Sequence, residues 1–167
     1  MALSSKLTGV AGEYYVAFQL SARGFIVAMP RDGSPTVDIL ACNEDGSRTI
    51  AIQVKTTAEA ERTRGRGDEK VLDHLEFPLG KASAQRSSDL LFAFVDLHND
   101  KENIDAKSPD ADVYFVPSTI VRDACSDWLE KVKWLRWHQS IEMMAPYKNN
   151  WKLVEDRLRC AEDMVSA

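Results

Sequence analysis

Glu13, Asp38, Gln53 and Lys55 place two carboxylates, an amide and an amine within the first third of the chain. Gln53 and Lys55 lie two apart in a run where Ile50, Ile52 and Val54 alternate with Ala51, Gln53 and Lys55. On a strand that spacing puts both polar side chains on one face. Asp38 belongs to an earlier extended run, and paired strands sit about 5 Å apart, so a suitable hairpin register brings it beside Gln53. A hard divalent cation, Mg2+ or Mn2+, takes oxygen ligands; Asp38, the Gln53 amide oxygen and a backbone carbonyl such as that of Val54 can supply them. The Lys55 ammonium would then orient a water, or help deprotonate it, for attack on phosphorus. Glu13 would hold the same ion directly, through water, or hold a second one. The plain alternative makes Gln53 and Lys55 part of a solvated sheet face, Asp38 a turn-flanking acid and Glu13 an ordinary helix residue. Two such groups in mid-strand strain that alternative on a sheet covered by helices.

The surrounding pattern supplies elements to position these groups. Residues 5–23 read as a helix with Gly24 as its C′ residue, and Val10, Tyr14, Ala17 and Ser21 form a stripe along it. Extended runs follow at 25–29, 37–42 and 49–56. Asp45-Gly46 between the last two predicts an antiparallel hairpin. Residues 58–70, polar and glycine-containing, read as a mobile loop in which Arg62, Arg64 and Arg66 could grip phosphates. The equal alternative leaves them in solvent. A weak helical stretch at 81–88 precedes the apolar strand 90–97, a polar loop 98–111 and a strand at 113–116. Ser118 is expected to cap a helix carrying Ile120, Ala124, Trp128, Val132 and Leu135, and a last helix spans roughly 150–164. The order is helix, three-strand meander, crossover, two strands, helices. It predicts an α/β fold: a mixed sheet flanked by helices with a C-terminal helical extension.

The pattern Gly12-Glu13, Val37-Asp38-Ile39-Leu40 and Ile52-Gln53-Val54-Lys55-Thr56-Thr57 resembles the PD-(D/E)XK nuclease superfamily. Within it, the Holliday-junction-resolvase-like and restriction-endonuclease-like branches are the most similar. Phe94-Val95-Asp96-Leu97, Tyr114-Phe115-Val116-Pro117-Ser118 and Tyr147-Lys148-Asn149-Asn150-Trp151 are similar to uncharacterised bacterial members. The resemblance implies a single restriction-endonuclease-like domain over 1–167, with its core at about 5–117 and C-terminal helices at about 118–164. It implies Asp38 and Gln53 as metal ligands, Lys55 as the catalytic lysine and Glu13 as an auxiliary acid, acting on DNA. It leaves a homodimer open. Thr56 and Thr57 are expected near the phosphate. Two departures stand out: Val37-Asp38 replaces the Pro-Asp pair, and Gln53 stands where most members carry an acid.

Composition sets the outer bounds. The 167 residues carry 21 Lys+Arg against 26 Asp+Glu, a net charge of −5, with 44% hydrophobic residues. That is globular composition for one domain. An acidic balance argues against indiscriminate coating of nucleic acid but leaves room for a local basic groove. The longest apolar run, Leu90 to Val95, is far short of the ~20 residues that span a bilayer. With no secretory signal at the N-terminus, a cytoplasmic location is expected. Cys42, Cys125 and Cys160 are scattered and share no ligand spacing with His74, His98 or His138, which argues against structural zinc. Trp128, Trp134, Trp137 and Trp151 are expected to pack rather than stack on bases. Two functional readings remain open: a metal-dependent endonuclease of repair, recombination or defence, and a catalytically inactive nuclease-fold module that binds or regulates.

Overall fold

The computed structural model describes residues 4–30, 36–80, 87, 89–98, 111–125 and 136–159. It opens with helix α1 (Ser5–Ala22), whose N-terminus is capped by the Ser4 hydroxyl accepting from Leu7 N at 3.4 Å. Gly24 (φ +88°) ends the helix in the left-handed region that glycine adopts without strain. The buried stripe of α1 is Thr8, Gly12, Val16 and Leu20. This corrects the expected one: its Val10 and Tyr14 face outward. At Gly12 the helix packs so close against the sheet that a side chain would not fit, while Val16 and Leu20 fill the core beyond it.

Strands β1 (Ile26–Ala28), β2 (Ile39–Cys42) and β3 (Thr49–Thr57) form the expected antiparallel meander. Gly46 (φ +73°) supplies the hairpin turn. The chain then crosses over, and β6 (Leu90–Asp96) pairs parallel with β3, while β7 (Asp112–Pro117) closes the sheet antiparallel to β6. The five-stranded order is β1-β2-β3-β6-β7. Its inner strand β6, between β3 and β7, is buried along its whole length, as befits the apolar run seen in the sequence. One sheet face packs on α1 and on α4 (Trp151–Leu158) through Val16, Leu20, Ile52, Val54, Val154 and Leu158.

The other face is covered by elements that the sequence pattern did not predict. The segment 58–70 is not a loop throughout: it holds β4 (Glu61–Arg64) and a 3-10 turn (Gly67–Glu69). β4 pairs with β5 (Val71–Pro78), and β5 with β8 (Arg136–Gln139), as a second antiparallel sheet. β8 lies inside the stretch expected to be helical. Leu75, Phe77 and Trp137 turn inward onto Phe92, Phe94 and Tyr114 to form a second core. Trp137 stacks on Phe94 with 4.5 Å between ring centroids, and Trp151 meets Phe115 edge-on while Arg23 lies over its ring. Both therefore pack, as expected.

Two further expectations are corrected. Ser118 opens α2 (Ser118–Ala124) without capping it; its hydroxyl instead donates to Ser87 O at 2.8 Å and accepts from Ser87 N at 3.0 Å. The last helix is the shorter α4, capped by Asn150 accepting from Leu153 N, and it follows the short α3 (Ile141–Met144). The expected helix at 81–88 and the positions of Trp128, Trp134 and Cys160 fall outside the described residues, apart from Ser87. No helix among the described residues is long and apolar enough to cross a membrane.

Candidate active site

β2 accompanies β3 only as far as the Ile39–Ile52 pair. Beyond it one edge of β3 has no strand partner among the described residues, and the backbone there needs other hydrogen-bond partners. Asp38, one residue before β2 rather than on it, fills that role. Its backbone N–H donates to Ile52 O at 3.0 Å, and its carboxylate Oδ2 accepts from Val54 N at 2.7 Å and from Gln53 Nε2. The hairpin register thus puts Asp38 against Gln53, as the spacing requires.

This open edge forms the floor of a cleft of about 1010 Å³, walled on one side by α1 and on the other by the second sheet. Glu13, Asp38, Gln53 and Lys55 all line it. α1 reaches the floor because Gly12 has no side chain: a Cβ there would stand 2.0 Å from Thr56 Oγ1. Gln53 is only 4% exposed, and its Oε1 is buried without a hydrogen-bond partner among the described residues. An orphaned buried carbonyl oxygen costs free energy unless something polar meets it. Both hydrogen bonds to Asp38 fall on Oδ2, so its Oδ1 carries neither.

Burial governs the electrostatics. It raises the Asp38 carboxyl above its ordinary range, outweighing the Val54 N–H bond, the Lys55 charge and the Gln53 bond that pull the other way. It also lowers the Lys55 amine, outweighing the attraction of Asp38 and Glu13. Both groups are pushed toward their neutral forms, a condition common where side chains do chemistry.

The remaining expected residues divide between the cleft and its surroundings. Thr57 lines the cleft, and its hydroxyl donates to Glu59 O at 3.0 Å. Arg62, Arg64 and Arg66 do not line it. Arg62 is tied to Glu76 (3.0 Å) and to the Glu59 and Glu61 carbonyls, and Arg64 faces Asp73 at 3.6 Å. Two charged lining residues were missed, Glu76 on β5 and Arg136 on β8, which are ion-paired with each other. The alternation of Leu75 and Phe77 with His74 and Glu76 was a signal for β5; four residues were too few to announce β8.

The fold is a mixed α/β architecture, a five-stranded mixed sheet flanked by helices. It is similar to the solved structure of a bacterial homing endonuclease, I-Ssp6803I, with a TM-score of 0.58 and 12% sequence identity over 99% of this chain and 100% of that one. No protein-family model and no curated protein sequence matches the chain.

Proposed function

We propose that the protein is a metal-dependent endonuclease acting on DNA, with Asp38, Gln53, Lys55 and Glu13 as its centre. The observation that carries this reading is the convergence of those four side chains, from α1 and the β2–β3 hairpin, in one cleft. The similarity in fold to a homing endonuclease supports it.

The donors suit a hard cation. Asp38 and the orphaned Gln53 Oε1 are oxygen ligands of the kind Mg2+ or Mn2+ takes, with Glu13 and the Val54 carbonyl as further donors. When bound, such an ion supplies Lewis acidity toward a phosphoryl oxygen. Asp38 and Gln53 would hold it, and Lys55, its amine lowered by burial, would orient the attacking water and accept its proton. Glu13, whose charge acts on Lys55, would steady the amine. The reaction adds water across one P–O bond, leaving a phosphate monoester and a hydroxyl. The test is a cleavage panel of linear, nicked and branched DNA with Mg2+ or Mn2+ and a chelator control. Cutting that needs the ion and is lost in Lys55→Ala supports the reading. Cutting undiminished in Lys55→Ala overturns it.

A second reading, an inactive nuclease-fold binding module, draws on one feature. The neutral Gln53 amide donates to Asp38 and satisfies that carboxylate without a cation. Absence of cutting on every substrate would favour it.

A further inference from the structure

The second sheet has two unlike faces. Directly opposed residues share a face, as do alternate residues along a strand. Leu75, Phe77 and Trp137 are 2%, 1% and 3% exposed and point into the core. His74, Glu76 and Pro78 alternate with them along β5, and their partners across the ladders are Arg62, His138 and Arg136. The outward face of this sheet therefore gathers two guanidiniums and two imidazoles around Glu76, with Asp73 at its edge, 2.9 Å from His74 Nδ1.

Glu76 is the hub. Its Oε1 takes Arg62 Nη2 at 3.0 Å and Arg136 Nη1, and its Oε2 faces His138 Nε2 at 3.1 Å. Burial opposes ionisation of Glu76, but the Arg136 and Arg62 contacts outweigh it and hold the carboxyl below its ordinary range. One carboxylate against two guanidiniums leaves the Glu76 cluster at +1 before any histidine is counted, and Asp73 at the edge is offset by Arg64, on a chain whose net charge is −5. Arg62 spends its donors on Glu76 and two carbonyls. Arg136 does not: its side chain is 69% exposed and, among the described residues, anchored through Nη1 alone. It also lines the same cleft as Asp38 and Lys55.

We infer that this face is an anion-binding site for the phosphodiester backbone of DNA, with Arg136 as its principal phosphate ligand and His138 beside it. A guanidinium fixed at one nitrogen keeps N–H groups for a phosphate in the fork geometry that suits it. The inference rests on the nuclease reading only for the choice of DNA as the source of the phosphate. His74, Glu76 and His138 also offer three ligand atoms within 4.8 Å of one another, the spacing of a metal site. Two observations favour the anion. A dication there would meet two guanidiniums already bound to Glu76. The two imidazoles are stacked, 5.0 Å apart and 14° from parallel, so their in-plane nitrogen lone pairs do not converge on one point.

The experiment reads binding without chemistry. A labelled DNA duplex is titrated with the whole protein in chelator, across a salt series, using Arg136→Gln, Arg136→Lys, His138→Gln and Lys152→Gln, with thermal melts alongside. Lys152 lies outside the cleft and reports generic loss of charge. Arg136→Gln should bind about tenfold more weakly, with the slope of log K against log salt shallower by about one. Arg136→Lys should keep the slope, and Lys152→Gln should match the wild type. Should Arg136→Gln melt early, His138→Gln carries the test, with weaker binding expected. Unchanged binding in both Arg136→Gln and His138→Gln, or an equal loss in Lys152→Gln, overturns the site. Cobalt(II) bound by the wild type and lost in His74→Ala would also overturn it, in favour of a metal. A wild type that binds duplex through Arg136 and cuts nothing would sink the nuclease reading while leaving this site standing.

Discussion

Gly12 of α1 lies directly against Thr56 of β3, so close that a Cβ on the glycine would stand 2.0 Å from the threonine hydroxyl oxygen. Each is the chain neighbour of a candidate site residue, Glu13 and Lys55. The contact therefore sets how near the helix carboxylate comes to the strand amine, whose charge it influences. A site built from two elements depends on the distance between them, and here one missing side chain fixes it.

Gly12→Ala is accordingly expected to push α1 away from β3. Overpacking of this kind costs about 1–3 kcal/mol, read as a lower denaturation midpoint. Cleavage should fall by more than the stability loss accounts for, since Glu13 moves with the helix. Gly9→Ala meets open space and should leave both unchanged.

Gln53→Glu is nearly isosteric but sets a second carboxylate against Asp38, which already loses its Gln53 N–H bond by the change. Like charges at that range destabilise. The variant should melt below the wild type in chelator and recover as Mn2+ is added, because a ligand that binds only the folded state stabilises it. A melt indifferent to Mn2+ would count against a cation between these residues.

The pH dependence of stability follows from the two shifted groups. Asp38 is raised above 3.8 in the fold, so between those values the folded chain holds the extra proton and stability falls as pH rises. Lys55 is lowered below 10.5, so between its folded value and 10.5 the unfolded chain holds the extra proton and stability rises with pH. Denaturant titrations should show that alkaline rise in the wild type and not in Lys55→Met. The substitution also removes a desolvated amine, so stability at neutral pH should hold or improve while cutting is lost.

Cleavage itself should fail at the acid end as Asp38 takes its proton, with a midpoint above the ordinary carboxylate range because burial raises the group. More Mn2+ should move that midpoint down, since proton and cation compete for one carboxylate. A midpoint that ignores the ion would remove Asp38 from the metal site.

The local pattern carried far toward the centre of the site. Strict alternation from Ile50 to Lys55 told which side chains share a face, and Asp45-Gly46 told that the neighbouring strand returns antiparallel; both are short-range consequences of backbone geometry. Together they put Asp38 beside Gln53. What tertiary structure alone decided is the opposite wall. β8 holds four residues, and it finds β5 about sixty residues back along the chain, where Glu76 meets Arg136. No local preference encodes a pairing that distant; it forms because Phe77 and Trp137 bury themselves together on Phe94. The same burial turns Arg62 from an expected loop cation into a strand residue tied to Glu76. Glycine at position 12 could be read from the sequence, but the reason for it could not, because Thr56 stands opposite it only once the helix has docked.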